Sequence, residues 1–368
     1  MVSTERLIEA HMAPFSDIGI RGRNSLAKLA SIVKNNVRRN SIVYVTEPMD
    51  WVIKAVGKEV APYLKHFYIE YTAAGARNCI VHFGSITTLF TGNAASIRKA
   101  GNSVIVTWYH VVPDDTRLGL LSDSIEAVTL WHTASERTKN DMVKLGIPAS
   151  RIRVIPLGVN LDRFTVTTDE QRKAVRSELG IPEGYFVIGS FQKDGNGWGG
   201  GDEPKLIKGP DIFCEVVERL AHTYKIFVVL TGPSRGYVKK RLQRAGISYV
   251  HHYLGHRYEV ASFYKALDLY LMTSRLEGGP LCVPESLASG IPIISTKVGL
   301  ATDVIRDGEN GFLCDVGDIA GLVEKCSFVF DNTRDVKSIV DNGLSSARSF
   351  DWRIIADAYA TILYGSDW

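Results

Sequence analysis

Two glutamates, Glu277 and Glu285, are separated by seven residues in a segment that also carries adjacent glycines. Glycines at the beginning of a helix let backbone N–H groups approach an anion closely, and the helix dipole adds positive potential there. A carboxylate on that helix can accept two hydrogen bonds from a vicinal diol such as a ribose. The pattern therefore favours a sugar-nucleotide site, with Glu285 at the ribose and Glu277 at the glycosyl group. The predicted diphosphate contacts are Gly278, Gly279, Pro280 and Leu281.

The surrounding sequence predicts a βαβ unit that would position this segment. Leu267–Met272 and Ile291–Ser295 are short apolar runs, typical of buried parallel strands. A helix is predicted over Pro284–Ser289 and ends at Gly290. The loop Thr273–Pro280 then follows the carboxyl end of a strand, where open α/β sheets bind ligands. The alternative is that both glutamates are solvated surface positions, because such spacing also arises by chance.

Three consecutive motifs carry a resemblance to a known family. The segment "EGGPLCVPE" resembles the E-x7-E region of retaining GT-B glycosyltransferases of the family-4 type, the glycosyl transferases group 1. "SGIPIISTKVG" and "DGENGFLCDVGD" are similar to later segments of that family. The resemblance implies an α/β chain with the GT-B fold, in which two Rossmann-like domains face each other across a cleft. It also implies a retaining transfer of a sugar from a nucleotide-diphosphate sugar.

The family resemblance extends to three further polar side chains. His110 follows the predicted strand Ser103–Thr107 and resembles the family's histidine beside the transferred sugar, which implies a catalytic role. Lys193 and Lys208 align with the basic residues that the family sets against the donor diphosphate, although Lys193 replaces the usual arginine. The alternative interpretations are a satisfied core histidine and two solvated lysines.

The base pocket is the least specific part of this prediction. The segments "TGPSRG" and "GHRYE" follow the predicted strands Lys225–Leu230 and Tyr249–Leu254, where the family lines the base and ribose pocket. The resemblance places Gly232 and Arg257 there. Base contacts in this fold are often made by the backbone, so the side chains identify the pocket only weakly.

The order of predicted elements divides the chain into four parts. Alternating strands and helices indicate a Rossmann-like half over 41–160, with a helix over Ile86–Ala100, and the family resemblance identifies it as the acceptor domain. Residues 161–348 form the predicted nucleotide-sugar donor domain, which begins with the strand Phe186–Phe191. Residues 349–368 are similar to the family's closing helix, which crosses back to the first domain. A chain of 368 residues suits two domains.

Residues 1–40 are predicted to form a basic amphipathic segment. Apolar residues from Leu26 to Val37 recur at helical spacing, among basic residues from Arg21 to Arg39. Such a helix can lie on an anionic membrane surface, which suits enzymes that glycosylate lipid-linked acceptors. The alternative is that the apolar stripe packs on the first domain.

Composition excludes several other classes of function. Lys+Arg of 43 against Asp+Glu of 40 is only a slight basic excess, and no nucleic-acid-binding motif is present, so no nucleic-acid partner is expected. Five cysteines without a C-x-x-C pair indicate buried thiols in a reducing compartment. The histidines lack metal-site spacing, and Asp114 and Asp115 are adjacent rather than D-x-D, so no metal site is predicted. No signal peptide or spanning segment is predicted, which favours a cytoplasmic protein that could lie peripherally at a membrane.

Together with these observations, the family resemblance implies a metal-independent, retaining hexosyltransferase. It would use a nucleotide-diphosphate sugar as donor, a glycan, lipid-linked or small-molecule acceptor, and no cofactor. The alternatives are a GT-B sugar-nucleotide epimerase or phosphorylase, since a fold does not fix a reaction, and an inactive nucleotide-sugar binding protein.

Overall fold

The computed structural model describes residues 17–47, 52–113, 115–197 and 199–365, with side chains from residue 25 onward. The side chains of Arg21 and Arg23, and the whole of Asp114, therefore lie outside the described residues. The chain divides into two compact units. Unit 1 comprises residues 1–61, 65–106 and 119–129, and unit 2 comprises 62–64, 107–118 and 130–368. The domain boundaries inferred from the sequence remain a prediction.

The first half of the described chain alternates helices with short strands. Their bounds are α1 Asp17–Val37, β1 Ile42–Val45, α2 Val52–Val60, β2 Phe67–Glu70, β3 Ile80–Phe83, α3 Ile86–Gly92, α4 Ala94–Lys99, β4 Ser103–Thr107, α5 Leu121–Ile125, β5 Leu130–Thr133, α6 Glu136–Lys144, β6 Ile152–Val154 and α7 Asp169–Glu178.

The second half continues this alternation and ends in helices. Their bounds are β7 Phe186–Phe191, α8 Pro210–Leu220, β8 Ile226–Thr231, α9 Gly236–Arg244, β9 Ser248–His252, α10 Val260–Tyr264, β10 Leu269–Met272, α11 Cys282–Ala288, β11 Ile293–Thr296, α12 Ala301–Val304, β12 Phe312–Cys314, α13 Ile319–Asp331, α14 Thr333–Ala347 and α15 Trp352–Ala358. After α15 the chain continues as a π-helix over Tyr359–Tyr364.

The strands form two six-stranded sheets. Their orders are β2-β1-β3-β4-β5-β6 and β12-β11-β10-β7-β8-β9, and the strand pairs in the described residues are parallel. In β8, Val228 and Leu230 pack into one apolar cluster while Phe227 and Val229 pack into another. Successive side chains of a strand point to opposite faces, so this strand is covered on both sides. Burial on both faces explains why the sequence shows continuous apolar runs there.

Strand positions are the best predicted feature of the fold. The predicted bounds of β4 and β7 agree with the structure. The predicted helix over Ile86–Ala100 is wrong as one element, because it is divided at Asn93. Asn93 adopts a left-handed φ of 50°, and its side chain accepts a hydrogen bond from the Ser96 amide. Asparagine tolerates this conformation, so one residue ends α3 and caps α4.

Helix α1 forms where the sequence predicts it but presents its apolar stripe to solvent. Leu26 is 70% exposed, Leu29 59%, Val33 68% and Val37 81%. The face that packs is polar instead: Ser31 donates to Glu70 at 2.6 Å, and Asn35 donates to the Thr72 and Ala74 carbonyls. The hypothesis that the stripe packs on the first domain is therefore wrong.

Candidate functional site

The loop between β10 and α11 carries the two glycines, and both are needed for close packing. A Cβ atom at Gly278 would collide with the Tyr109 carbonyl oxygen, and one at Gly279 would lie 2.7 Å from the Ala134 Cβ. The Gly278 carbonyl also accepts a hydrogen bond from the Leu300 amide at 2.8 Å. The loop is therefore fixed on both sides within unit 2. Pro280 and Leu281 lead directly into α11, and Leu281 is its N-cap without a side-chain cap bond.

Glu277 is held by two donors at the carboxyl end of β10. Lys208 Nζ lies 2.7 Å from Glu277 Oε1, and Ser274 Oγ donates to the same oxygen at 2.9 Å. Burial alone would raise the pKa of Glu277. The Lys208 charge and hydrogen bond, with smaller contributions from His110 and Ser274, outweigh burial and leave that pKa below its ordinary value. Glu277 is thus an ionised carboxylate paired with a lysine.

His110 lies close enough to this ion pair for both charges to act on its pKa. Burial, with the smaller effects of the Lys208 and Lys205 charges, lowers the pKa of His110 to about 4, although the Glu277 charge opposes this shift. The imidazole is therefore neutral around pH 7, when one ring nitrogen donates and the other accepts. All three residues belong to unit 2, and the roles that the sequence suggested for them remain predictions.

The two predicted lysines lie at the ends of the glycine-rich loop that follows β7. Burial lowers the pKa of Lys193. Lys208 ends a 3₁₀ turn over Leu206–Lys208, and Gly209 follows with a φ of 63°. A Cβ atom at Gly209 would collide with the Thr273 carbonyl oxygen, so this close approach sets Lys208 beside the β10 loop.

The loop itself is anchored by a buried ion pair. Arg235 Nε lies 2.9 Å from Asp194 Oδ1, and the two side chains are 0% and 1% exposed. Arg235 Nη1 also donates to the Ser190 carbonyl at 2.6 Å and to the Thr231 carbonyl at 2.8 Å. Ser190 and Thr231 lie at the carboxyl ends of β7 and β8. The arginine therefore joins the loop to the edge of the sheet where the predicted ligand binds.

Glu285 lies on the first turn of α11 and is almost fully buried. Arg257 Nη2 is 2.8 Å from Glu285 Oε1, and the Tyr264 hydroxyl donates to Oε2 at 3.2 Å. Both carboxylate oxygens thus have a donor, which fixes the orientation of the side chain. Arg257 was predicted only weakly from the sequence, and the structure places it in direct contact with Glu285.

Gly232 lies apart from that pair in the described contacts. It follows β8 with a φ of 88°, and its carbonyl oxygen accepts a hydrogen bond from His251 Nε2 at 2.7 Å. A Cβ atom there would lie 2.9 Å from the Gln192 carbonyl oxygen. Within the described ranges no hydrogen bond joins Gly232 to Arg257, so their shared pocket stays a prediction.

Sequence reasoning missed three residues of this site. Ser274 and Tyr264 donate to the two glutamates, and Lys205 lies close enough to Glu277 and Lys208 for their charges to act on it. Lys205 precedes Lys208 by one turn, and that spacing was the available signal. The sequence offered no signal for Tyr264, because its contact with Glu285 depends on the packing of α10 against α11.

The described residues contain no group of three or more histidine, cysteine, aspartate or glutamate side chains placed to hold a metal ion. Over the same part of the chain, every helix is too short or too polar to cross a membrane. All five cysteines are free thiols, four of them buried and Cys282 half-buried.

The fold is that of the GT-B glycosyltransferases. The HepE protein of Anabaena, solved in complex with UDP and glucose, superimposes with a TM-score of 0.73 at 17% identity, over 89% of this chain and 99% of that one. Sucrose-phosphate synthase from Thermosynechococcus elongatus gives a TM-score of 0.63 at 17% identity, over 86% of this chain and 79% of that one. The α/β fold class predicted from the sequence is confirmed.

Residues 204–345 match the family described as Glycosyl transferases group 1. D-inositol 3-phosphate glycosyltransferase of Corynebacterium jeikeium is 28% identical over 56% of this chain and 50% of its own length. The lipopolysaccharide core biosynthesis mannosyltransferase LpsB of Rhizobium meliloti is 27% identical over 57% of this chain and 61% of its own length. The chain thus spans about half to three fifths of these relatives, and the resemblance to the glycosyl transferases group 1 is confirmed.

Proposed function

We propose that this protein is a retaining hexosyltransferase that moves a sugar from a nucleotide-diphosphate sugar to a glycan, lipid-linked or small-molecule acceptor. The observation that carries the proposal is the Lys208–Glu277 ion pair beside a neutral His110, in the same unit as the Arg257–Glu285 pair. The relatives' names, which specify glycosyl and mannosyl transfer, and the UDP and glucose bound to HepE support the same class of donor.

In this proposal the two glutamates bind different parts of the donor. Glu285, oriented by Arg257 and Tyr264, accepts hydrogen bonds from the ribose hydroxyls. Glu277 lies by the sugar, where its charge stabilises the positive charge that develops at the anomeric carbon. His110 is neutral and can accept a sugar hydroxyl proton or donate to a phosphate oxygen.

The proposed reaction is a front-face substitution. The bond between the anomeric carbon and the diphosphate oxygen breaks while the acceptor hydroxyl attacks from the same face. The leaving phosphate takes the acceptor's proton. Lysine ammonium groups then stabilise the charge on the diphosphate, which is the role that a divalent cation has in D-x-D enzymes.

A panel of sugar nucleotides tests the donor class. A ligand that binds only the native state raises the midpoint of thermal unfolding by mass action. We expect one nucleoside diphosphate and its sugar derivative to stabilise the protein, and nuclear magnetic resonance of the product to show an unchanged anomeric configuration. Stabilisation by no member of the panel would contradict the proposal, and an inverted product would contradict the retaining mechanism.

We also propose that α1 lies on an anionic membrane surface. Its exposed stripe from Leu26 to Val37 is flanked by Lys28 and Lys34, both exposed, and the opposite face is bonded to residues 70–74. An apolar stripe beside basic side chains is typical of helices that lie in the membrane interface. This placement gives access to a lipid-linked acceptor.

A further inference from the structure

Arg275 lies in the loop after β10, two residues before Glu277, and its side chain reaches the first turn of α8. Its Nη1 donates to Asp211 Oδ1 at 2.7 Å, and its Nη2 donates to Asp211 Oδ2 at 2.6 Å. The guanidinium thus makes a bidentate contact with the carboxylate, a geometry that lysine cannot offer. Nη1 also donates to the Leu206 carbonyl at 2.8 Å, so this side chain joins three segments of unit 2.

The main chain of the same loop contacts the turn that carries Lys208. The amides of Arg275 and Leu276 both donate to the Ile207 carbonyl, at 2.8 Å and 3.0 Å. Leu206 and Ile207 belong to the 3₁₀ turn that ends at Lys208. The Leu206 side chain is 53% exposed, so the turn gains little from apolar packing at its first residue. Hydrogen bonds from the loop after β10 therefore hold the turn in place.

Both members of the Arg275–Asp211 pair are charged. The hydrogen bonds from Arg275 lower the pKa of Asp211, its charge and the amides at the start of α8 act in the same direction, and burial opposes them. The hydrogen bonds to Asp211 in turn raise the pKa of Arg275. The two side chains are 37% and 31% exposed, and ion pairs at such exposure add little stability. The pair is therefore better suited to set a position than to stabilise the fold.

We infer that Arg275 is a positioning residue for sugar transfer: together with Asp211 it keeps the turn 206–208 where Lys208 pairs with Glu277, at 2.7 Å. This inference rests on the proposed function, which gives Glu277 its role at the sugar. Arg275 acts through Lys208 and Glu277 rather than by touching the donor. Neither the resemblance of the sequence to its family nor the names of its relatives assigns a role to Arg275 or Asp211.

A double-mutant cycle on the turnover of the full chain tests the inference. We expect Arg275→Gln to lower kcat about tenfold at pH 7, because a small displacement of a positioned group can cost that much or more. Asp211→Asn weakens the same contact from its other end and should cause a similar loss. In a Lys208→Met background the pair with Glu277 is already absent, so Arg275→Gln should lower kcat less than about twofold further.

The pH profile of kcat distinguishes a positioning role from a loss of folded protein. The Lys208 charge lowers the pKa of Glu277 and the pKa of His110. Displacing Lys208 should therefore move the acid limb of the profile to higher pH, whichever of these two groups causes it. Lys205 and Cys282 also interact electrostatically with Glu277 and are unchanged in these variants. A smaller amount of folded enzyme would lower the whole curve without moving its acid limb.

Arg219→Gln is the matched control. Arg219 Nη2 lies 2.9 Å from Glu215 Oε1 on the same helix α8, and these side chains are 52% and 37% exposed. This variant should keep the turnover and the pH profile of the wild type, and thermal unfolding should show that all variants are folded. Additive losses in the Lys208→Met background, or an acid limb that does not move in Arg275→Gln, would overturn the inference while leaving the proposed function intact. A wild type that transfers no sugar from any nucleotide-sugar donor would overturn both.

Discussion

Glu277 and Glu285 are both buried carboxylates, but different partners hold them. Glu277 accepts hydrogen bonds from a lysine and a serine, whereas Glu285 accepts them from an arginine and a tyrosine. A contact made equally in the ground and transition states affects binding, and one that strengthens in the transition state affects turnover. Substitution of one glutamate should therefore affect mainly donor binding, and substitution of the other mainly turnover.

We expect Glu285→Ala to weaken nucleoside diphosphate binding by about 1.5–3 kcal/mol, the range for a hydrogen bond to a charged group. Glu277→Gln should lower turnover by roughly two orders of magnitude and leave nucleoside diphosphate affinity nearly unchanged. Calorimetry on both variants, combined with turnover measurements, checks this division of roles.

Tyr264→Phe is a useful companion to Glu285→Ala, because it removes only the donor to Oε2. It should weaken nucleotide binding less than Glu285→Ala does. The assignment is wrong if Glu277→Gln abolishes nucleotide binding while Glu285→Ala binds normally.

At the scale of elements, β5 carries a histidine that couples stability to pH. His132 is fully buried, with Nδ1 2.8 Å from Thr107 Oγ1 and Nε2 3.0 Å from the Ile155 carbonyl oxygen. Nε2 therefore donates to the carbonyl and Nδ1 accepts from the hydroxyl, which is possible only in the neutral ring. Burial lowers the pKa of His132 to about 4, although the bond to Ile155 opposes this.

We expect the free energy of unfolding to fall as the pH decreases from about 6.5 towards 4. The unfolded chain takes up a proton near its ordinary pKa of 6.5, while folded His132 does so only near 4, so acid favours the unfolded state. The full effect of this shift is roughly 3 kcal/mol. Urea unfolding of wild type and His132→Gln at several pH values measures it, and the variant should show the shallower dependence. Parallel curves would contradict this account, because His110 contributes equally to both proteins.

The exposed stripe of helix α1 is apolar while its packed face is polar, so we expect substitutions in the stripe to reduce membrane binding. Leu29→Glu combined with Val33→Glu should reduce sedimentation with phosphatidylserine-containing vesicles at least about tenfold, since the inserted apolar area is lost. Replacing Lys28 and Lys34 by glutamine should weaken the free energy of vesicle binding by about 1 kcal/mol for each lysine that lies near the membrane surface.

Ile354→Glu is the control for α1, because Ile354 is 53% exposed on α15. It should bind vesicles like the wild type. Donor binding should be the same in all of these variants. If the α1 variants bind vesicles as well as the wild type does, the membrane proposal is wrong.

At the scale of the whole molecule, features set by neighbouring residues in the sequence could be predicted, whereas contacts between residues far apart in the sequence could not. Buried strands such as β4 and β7 are visible as apolar runs because both faces are covered. The break at Asn93 was missed because helical periodicity continues across it. Tyr264 was missed because its hydrogen bond to Glu285 depends on helix packing, which the local pattern does not contain.

The proposed role of the lysines at the diphosphate leads to a prediction about metal ions. If ammonium groups stabilise the leaving diphosphate, transfer should continue in the presence of EDTA, and added Mn²⁺ should change the rate little. Initial rates with and without chelator measure this. A rate that EDTA abolishes and Mn²⁺ restores would contradict metal independence.

The buried Asp194–Arg235 pair constrains how this sequence can diverge. Changing one member alone leaves an unpaired charge in the interior, which typically costs 3–5 kcal/mol, whereas replacing both by apolar residues is often neutral. Single substitutions at either position should therefore be selected against because they destabilise the fold. We expect the two residues to be replaced together or both kept. An alignment of close homologues should show them as a covarying pair, while the exposed glycines between them vary in number.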